Sequence, residues 1–434
     1  MLLHGIKKLF NIPGYKITDT SLADTEIHIH LEPYKRSTPL CPQCKEAHTK
    51  GYHSSQWTQA EDLPISGKRV FLHIRKRRYR CPRDGKIHTE DIPWLKKWAR
   101  VTGRFAEYVS RLTAITTNQE AGWFLGLNDE MVYRIDREIL EEKAKEKLSP
   151  PPAATHISVD EVSYRKYHRY LTNVIDTDRR LLIWNEKGRK SEVLNAYFQG
   201  IGEDNCAKIE SVALDGARHY ISSSNHYAVN ALIVYDRFHI MQKLNNAVDT
   251  VRKHELRKAR TEKNDELVDL ISCKQRFILL KNKGNLSSRQ SSYLHQLCEL
   301  NEPIYKAMLL KESFLTVYSC SDEIEAKTVL TQWIKEAASS TLESFIALAQ
   351  SFTDKMQYIL NWFKKKMSSA ISEGFNNKIK RLKRMAYGYK DIDYFRLKIH
   401  QHCGLLNPRL DTIHATCNLN KKEPNFSEIT ESQR

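Results

Sequence analysis

The chain has 434 residues, and 69 Lys and Arg against 52 Asp and Glu give it a formal charge of +17 and a pI near 9.3. That excess argues for a polyanionic partner, while a hydrophobic share of 41% excludes disorder over most of the length and any collagen-like or low-complexity chain. No uncharged apolar run reaches the roughly 18 residues of a membrane-spanning helix, and the opening MLLHGIKKLFNIPGY lacks a signal-peptide core and cleavage site, so a cytoplasmic protein is expected.

Residues 1–98 alternate in short runs such as Glu26-Ile27-His28-Ile29-His30-Leu31 and Val70-Phe71-Leu72-His73-Ile74, which predicts a small β-rich module. It contains Cys41-Pro42-Gln43-Cys44 and Cys81-Pro82-Arg83-Asp84. Two thiolates two residues apart can chelate one tetrahedral Zn²⁺ from a tight knuckle, and a second pair closes the site. Cys41, Cys44 and Cys81 are therefore predicted ligands of a structural zinc, with Asp84 or His88 as the fourth; His48 and His53 are also within reach of the first knuckle. The competing reading is a set of reduced thiols without metal. A redox pair fits less well, because no strand-helix context of the thioredoxin type surrounds it.

Residues 99–150 are helical in period and end in a Ser-Pro-Pro-Pro linker. A helix from Asn118, a turn over 125–128 with Gly126 in a left-handed conformation, and a helix from Asp129 outline a helix-turn-helix. A plain helical hairpin fits the outline equally well by itself. The neighbouring run Arg75-Lys76-Arg77-Arg78-Tyr79-Arg80, with Arg134 on the second helix, favours DNA.

From Thr155 the pattern predicts strands at 156–163, 170–176 and 180–185, a helix at 191–200, and strands at 209–214 and 231–235 with a helix between them. That order fits an α/β sheet whose first three strands form a meander. Asp160 and Asp215 are expected at strand ends, where a buried carboxylate needs a partner such as a divalent cation. Residues 241–366 are Lys, Glu and Leu-rich and nearly free of strand signals, as an all-helical insertion would be. A last helical segment over 367–403 carries Glu373 and eight basic residues, Lys378, Lys380, Arg381, Lys383, Arg384, Lys390, Arg396 and Lys398, with Tyr387 and Tyr389 available to stack on bases. The remainder, 404–434, is expected to be a partly disordered tail. Each acid alone is more often a turn former or cap, and a charge run is usually a solvated face.

The order of these pieces, together with Tyr235-Asp236-Arg237-Phe238-His239-Ile240, Ser372-Glu373-Gly374-Phe375-Asn376-Asn377-Lys378-Ile379-Lys380 and Ala386-Tyr387-Gly388-Tyr389, resembles the ISL-three family of bacterial insertion-sequence transposases over nearly the whole chain. The resemblance implies a multidomain mixed α/β protein: zinc module, helix-turn-helix, and a ribonuclease-H-like core of the Asp-Asp-Glu type split by a helical insertion. It implies that Asp160, Asp215 and Glu373 hold two Mg²⁺ or Mn²⁺ ions for phosphodiester cleavage and strand transfer. In that fold the second acid follows the fourth strand, which selects Asp215; Asp236 and His239 become accessory groups, Asp236 being the alternative second acid. Implied partners are double-stranded DNA, both transposon ends and target, and further copies of the chain assembled on it in a nucleoid-associated complex. The zinc module departs from the family pattern at Asp84, where a Cys is expected. Two rivals stand beside this reading: a non-enzymatic zinc and helix-turn-helix regulator, and a ribonuclease-H-like nuclease without strand transfer.

Overall fold

A computed structural model describes residue 10 and residues 12–96, 100–165, 169–272, 276–281, 283–366 and 370–410. Two compact units emerge: Met1–Glu146 joined by Tyr389–His402 and Leu406–Arg434, and Lys147–Gly388 with Cys403–Leu405. The expected tail at 404–434 lies outside the described residues from 411 onward.

The first unit is built on a sheet of order β1-β2-β4-β3-β7-β6 with β5 on the far end of β4, the long members being β1 (Tyr15–Leu22), β2 (Glu26–Pro33), β3 (Tyr52–Ile65) and β4 (Lys68–Arg80); β5 (Ile87–Thr89), β6 (Leu95–Lys96) and β7 (Val101–Thr102) are short. Alternation decides which face is buried. Ile29, Leu31, Val70, Leu72 and Ile74 point into one core, while His28, His30 and His73 take the other face. Helices α1 (Gly103–Thr113), α2 (Asn118–Leu125) and α3 (Asp129–Lys147) follow. A capping box between Thr117 and Glu120 starts α2, and Gly126 at φ 69° ends it, as the local sequence requires. Val101, Phe105, Val109, Ala121, Leu125, Val132 and Ile135 form their core.

In the second unit β8 (His156–Arg165), β9 (Arg169–Asp176), β10 (Leu181–Lys187), β11 (Ser211–Leu214) and β12 (Leu232–Tyr235) form one sheet of order β10-β9-β8-β11-β12. The first three are an antiparallel meander, and β11 runs parallel to both β8 and β12. Helices α4 (Ser191–Ile201), the short α5 (Glu203–Cys206) and α6 (Arg218–Tyr227) lie between strands, and Tyr197, Phe198 and Tyr220 share a core with Ile157, Val159, Val212 and Leu214. The long α7 (Arg237–Thr261) leads into α8 (Asp265–Ile271), α9 (Arg276–Leu280), α10 (Ser288–Leu300), α11 (Glu302–Leu315), α12 (Glu323–Ala338), α13 (Glu343–Asp354) and α14 (Met356–Lys364). Their core is aromatic, centred on Phe314, Trp333, Phe345 and Phe352. The indole of Trp333 donates to the Leu310 carbonyl at 2.7 Å, so burial leaves no orphaned donor.

The last helical segment is two helices, α15 (Ala370–Met385) and α16 (Ile392–Cys403), separated at Tyr387 and Gly388, both at positive φ. Most of α16 belongs to the first unit, where Lys398 is fully buried and pairs with the equally buried Asp136 at 3.0 Å. The Tyr394 hydroxyl donates to the same carboxylate at 2.6 Å. Lys398 is therefore a core ion-pair partner and not the DNA contact its place in a basic run suggested.

Candidate active site and metal centre

The zinc module supplies its ligands from two turns of matching design. The Lys45 amide donates to the Cys41 carbonyl at 3.0 Å and the Gly85 amide to the Cys81 carbonyl at 2.9 Å, with Lys45 and Gly85 both at positive φ. The first turn ends its loop in Cys44. The second ends in Asp84, whose carboxylate accepts from the Lys86 amide at 2.9 Å, pairs with His88 at 2.7 Å and is also within reach of Cys81. Asp84 and His88 pair with each other and stand outside the group of potential ligands that the fold gathers. His48 joins the cysteines: the ligand atoms of Cys41, Cys44, His48 and Cys81 all lie within 4.8 Å of one another, and His48 Nε2 is 3.3 Å from Cys44 Sγ. Burial pushes the Cys41 thiol up, but the Cys44 and Gln43 amides and His48 outweigh it and bring it down to about 6. Three sulfurs and one imidazole, with a thiolate held ready, fit a tetrahedral Zn²⁺.

The acidic site has a different origin. Ala213 stands opposite Ser158 and Leu214 opposite Tyr235, so two further steps in the first register and one in the second set Asp160, Asp215 and Asp236 level across three neighbouring strands. Asp160 is mid-strand, since β8 continues to Arg165, which corrects the expectation that it ends its strand; β11 and β12 stop just before their acids. The Asp215 turn depends on Gly216 at φ 76°, where a Cβ would sit 2.6 Å from the Tyr235 ring. Asp236 caps α7 by accepting from the Phe238 amide at 2.9 Å. One helical turn on, His239 Nε2 lies between Asp160 at 3.6 Å and Asp236 at 3.7 Å. Burial alone would lower the His239 pKa, but Asp160, Asp236 and Asp215 raise it above its ordinary value. His239 thus joins the site and is not a core histidine of α7.

Helix α15 docks on the same strand. Ser372 meets Ser158 at 2.6 Å and Asn376 donates to Asp160 Oδ2 at 2.6 Å. Glu373 sits between these anchors, exposed in the first turn, and is a helical neighbour of Asn376. The oxygens of Asp160, Asp215 and Glu373 do not converge as the cysteine ligands do; among the described residues the Cys41 group is the one that does. Two participants escaped the sequence reading. Asn376 was visible only as a residue three positions after Glu373. Glu161, half-buried, has its carboxyl raised first by burial and then by Asp215 and Asp160, a sign of crowded negative charge. An all-oxygen set under such repulsion suits a hard divalent cation.

The basic candidates divide. Arg77 is spent on Glu90 at 2.7 Å with 13% of its side chain exposed, Arg75 pairs with Glu32 at 2.9 Å, and Arg80 donates to the Gly85 carbonyl at 2.8 Å. Lys76 also has a partner, Arg78 is half-buried, and Arg134 pairs along its helix with Glu130. On α15, by contrast, Lys380, Arg381 and Arg384 are exposed opposite the buried Ile379 and Leu382; Lys378 shares that exposure and Lys383 is half-buried. Tyr387 is fully exposed, whereas Tyr389 stacks on Phe395 with ring centres 4.6 Å apart and is not presented for base stacking.

Comparison with known proteins bears on both sites. A transposase family model of the ISL-three class matches residues 157–399, and a model described as the zinc finger of transposases of IS204, IS1001, IS1096 and IS1165 matches residues 37–84. The transposase for insertion sequence element IS1001 of Bordetella parapertussis is 30% identical over 374 residues, 86% of this chain and 90% of that protein. The transposase for insertion sequence element IS1557 of Mycobacterium tuberculosis is 26% identical over 412 residues, 89% of this chain and 91% of that protein. No helix among the described residues is long and apolar enough to cross a membrane.

Proposed function

The chain belongs to the ISL-three family of transposases, and from that premise we propose that it cuts and rejoins DNA at the ends of an insertion sequence through Asp160, Asp215 and Glu373. The observation that supports this most directly is the level row of Asp160, Asp215 and Asp236, with α15 bonded to Asp160 through Asn376, three residues after Glu373. The sheet order β10-β9-β8-β11-β12, an antiparallel meander followed by two parallel strands, agrees with a ribonuclease-H-like core. Asp160, Asp215 and Glu373 would hold two Mg²⁺ or Mn²⁺ ions, which when bound supply an activated oxygen nucleophile and stabilise the leaving oxygen.

The protein's own groups set the stage for that chemistry. Asn376 fixes the rotamer of Asp160, and His239 bridges Asp160 and Asp236, holding the inner wall of the site in one orientation. The exposed basic face of α15 lays positive charge along the strand to be cut. In the first unit Cys41, Cys44, Cys81 and His48 would hold a structural Zn²⁺, and α2 and α3 act as a helix-turn-helix that reads the terminal inverted repeats. Double-stranded DNA is the substrate, and pairing two ends calls for more than one copy of the chain. The test is Mg²⁺-dependent nicking and joining of duplexes bearing the element's own ends, with Asp160→Asn as control. Full activity in that variant rejects the assignment and leaves a DNA-binding regulator; cutting without joined product leaves a nuclease.

A further inference from the structure

We propose that Arg218, Lys243 and Lys355 form a phosphodiester-binding subsite beside Asp215, built jointly by the helices flanking the sheet and by the helical insertion. The three cations come from separate elements. Arg218 opens α6, three residues after Asp215. Lys243 is two turns into α7, with its ammonium 5.4 Å from the centre of the Tyr235 ring, the ring that packs against Gly216. Lys355 is the joint between α13 and α14. A cleft of about 350 Å³ opens among Arg218, Ser222, Asn225, Asp354, Lys355 and Tyr358, so charge and neutral hydrogen-bonding groups line one hollow.

Arg218 and Lys355 both line this cleft, and Lys243 acts on Lys355 through its charge. Burial lowers the Lys355 pKa, the charges of Lys243 and Arg218 lower it further, and Asp354 and Asp215 oppose them. Compensation is thin: Arg218 pairs with Asp354 at 3.3 Å while 86% exposed, and Lys355 donates to the neutral Ser351 hydroxyl at 3.0 Å. Lys243 has an aromatic face. Three cations against two acids, Asp354 and Asp215, with the N-terminus of α6 adding its own partial positive charge, leave a net positive seat for an anion. Asp215 fixes which anion. A site this close to a phosphodiester-cutting centre would hold the backbone of the same DNA strand, a few nucleotides from the scissile bond. This rests on the reading of Asp215 as part of that centre.

The experiment uses the full chain and a short duplex carrying one element end. Nicking in Mg²⁺ is followed for wild type and for Lys355→Gln, Lys243→Gln and Arg218→Gln, each checked by thermal melting. DNA binding is titrated against salt in parallel on an Asp160→Asn background. Each variant is expected to raise KM for DNA about tenfold, the size of one charge-assisted contact, with kcat within about twofold. Each should also reduce the salt slope of binding by about one. A neutral methylphosphonate placed at successive positions should weaken wild type at one position where Lys355→Gln loses nothing further. Wild-type KM and salt slope in all three variants, or a methylphosphonate profile unchanged by Lys355→Gln, would overturn the subsite. If wild type does not nick, the cutting-centre reading fails instead, and the binding titration still decides whether these cations hold DNA.

Discussion

The two metal-suited sites of this protein differ in how completely the chain finishes them. In the zinc module, two short turns brought together by the fold set four ligand atoms within 4.8 Å of one another, with soft neutral or singly ionised groups that tolerate close approach. In the acidic site, acids from segments more than two hundred residues apart are brought to one end of the parallel strands by strand register and helix docking, and their oxygens do not converge in this way. A structural site gains from being closed, because the ion is part of the fold. A site for chemistry keeps its ligands open to substrate and to exchangeable ions.

That contrast can be broken at several points. Cys81→Ser should have the largest effect: zinc content falling from one ion per chain toward none, measured by metal analysis, and protease sensitivity of the first unit rising, since structural zinc contributes on the order of 10 kcal/mol in small modules. His48→Ala should follow it. If instead Asp84→Ala empties the site and His48→Ala does not, the ligand set is wrong. At the acidic site Asp160→Asn is expected to slow nicking by about a thousandfold, about 4 kcal/mol of transition-state stabilisation, while leaving zinc content and melting temperature alone. Asp215→Asn should match it, and Asp236→Asn should cost about tenfold to a hundredfold as a group acting through His239. The reverse order in the two single-site nicking rates would move the second metal ligand to Asp236. Asn376→Ala, which removes a bond to Asp160 but no ligand, should cost about tenfold in kcat with KM unchanged.

The smallest effect concerns acid. The Lys86 amide and then His88 hold the Asp84 carboxyl below its usual range. A depressed folded pKa means that the contribution of this group is present above its unfolded value near about 3.9 and is lost as pH falls through the folded one. Between pH 7 and 5 Asp84 therefore contributes steadily. Zinc retention of Asp84→Ala followed across pH 7 to 5 should overlay wild type; a shifted curve would return Asp84 to the ligand shell.

Much of this was legible in the chain. Strand alternation located the meander and the two parallel strands within a few residues, the Asn118 to Asp129 pattern located α2 and α3, and Cys spacing located three members of the Cys41, Cys44, His48 and Cys81 cluster, because periodicity and turn chemistry are properties of neighbouring residues. Composition alone overstated the DNA-facing charge. Arg77, Lys398 and Tyr389 read as surface groups in basic or aromatic runs, yet Glu90, Asp136 and Phe395 claim them, and such partners are remote in sequence. The approach of His48 to the three cysteines, the level alignment of Asp160 with Asp215 and Asp236, and the bond from Asn376 were likewise decided by tertiary structure. The sequence by itself determined which residue types were available and which local elements held them. Only the folded chain determined which charges are neutralised by protein and which remain for metal and DNA, because a charge costs or gains according to what lies within a few ångströms of it.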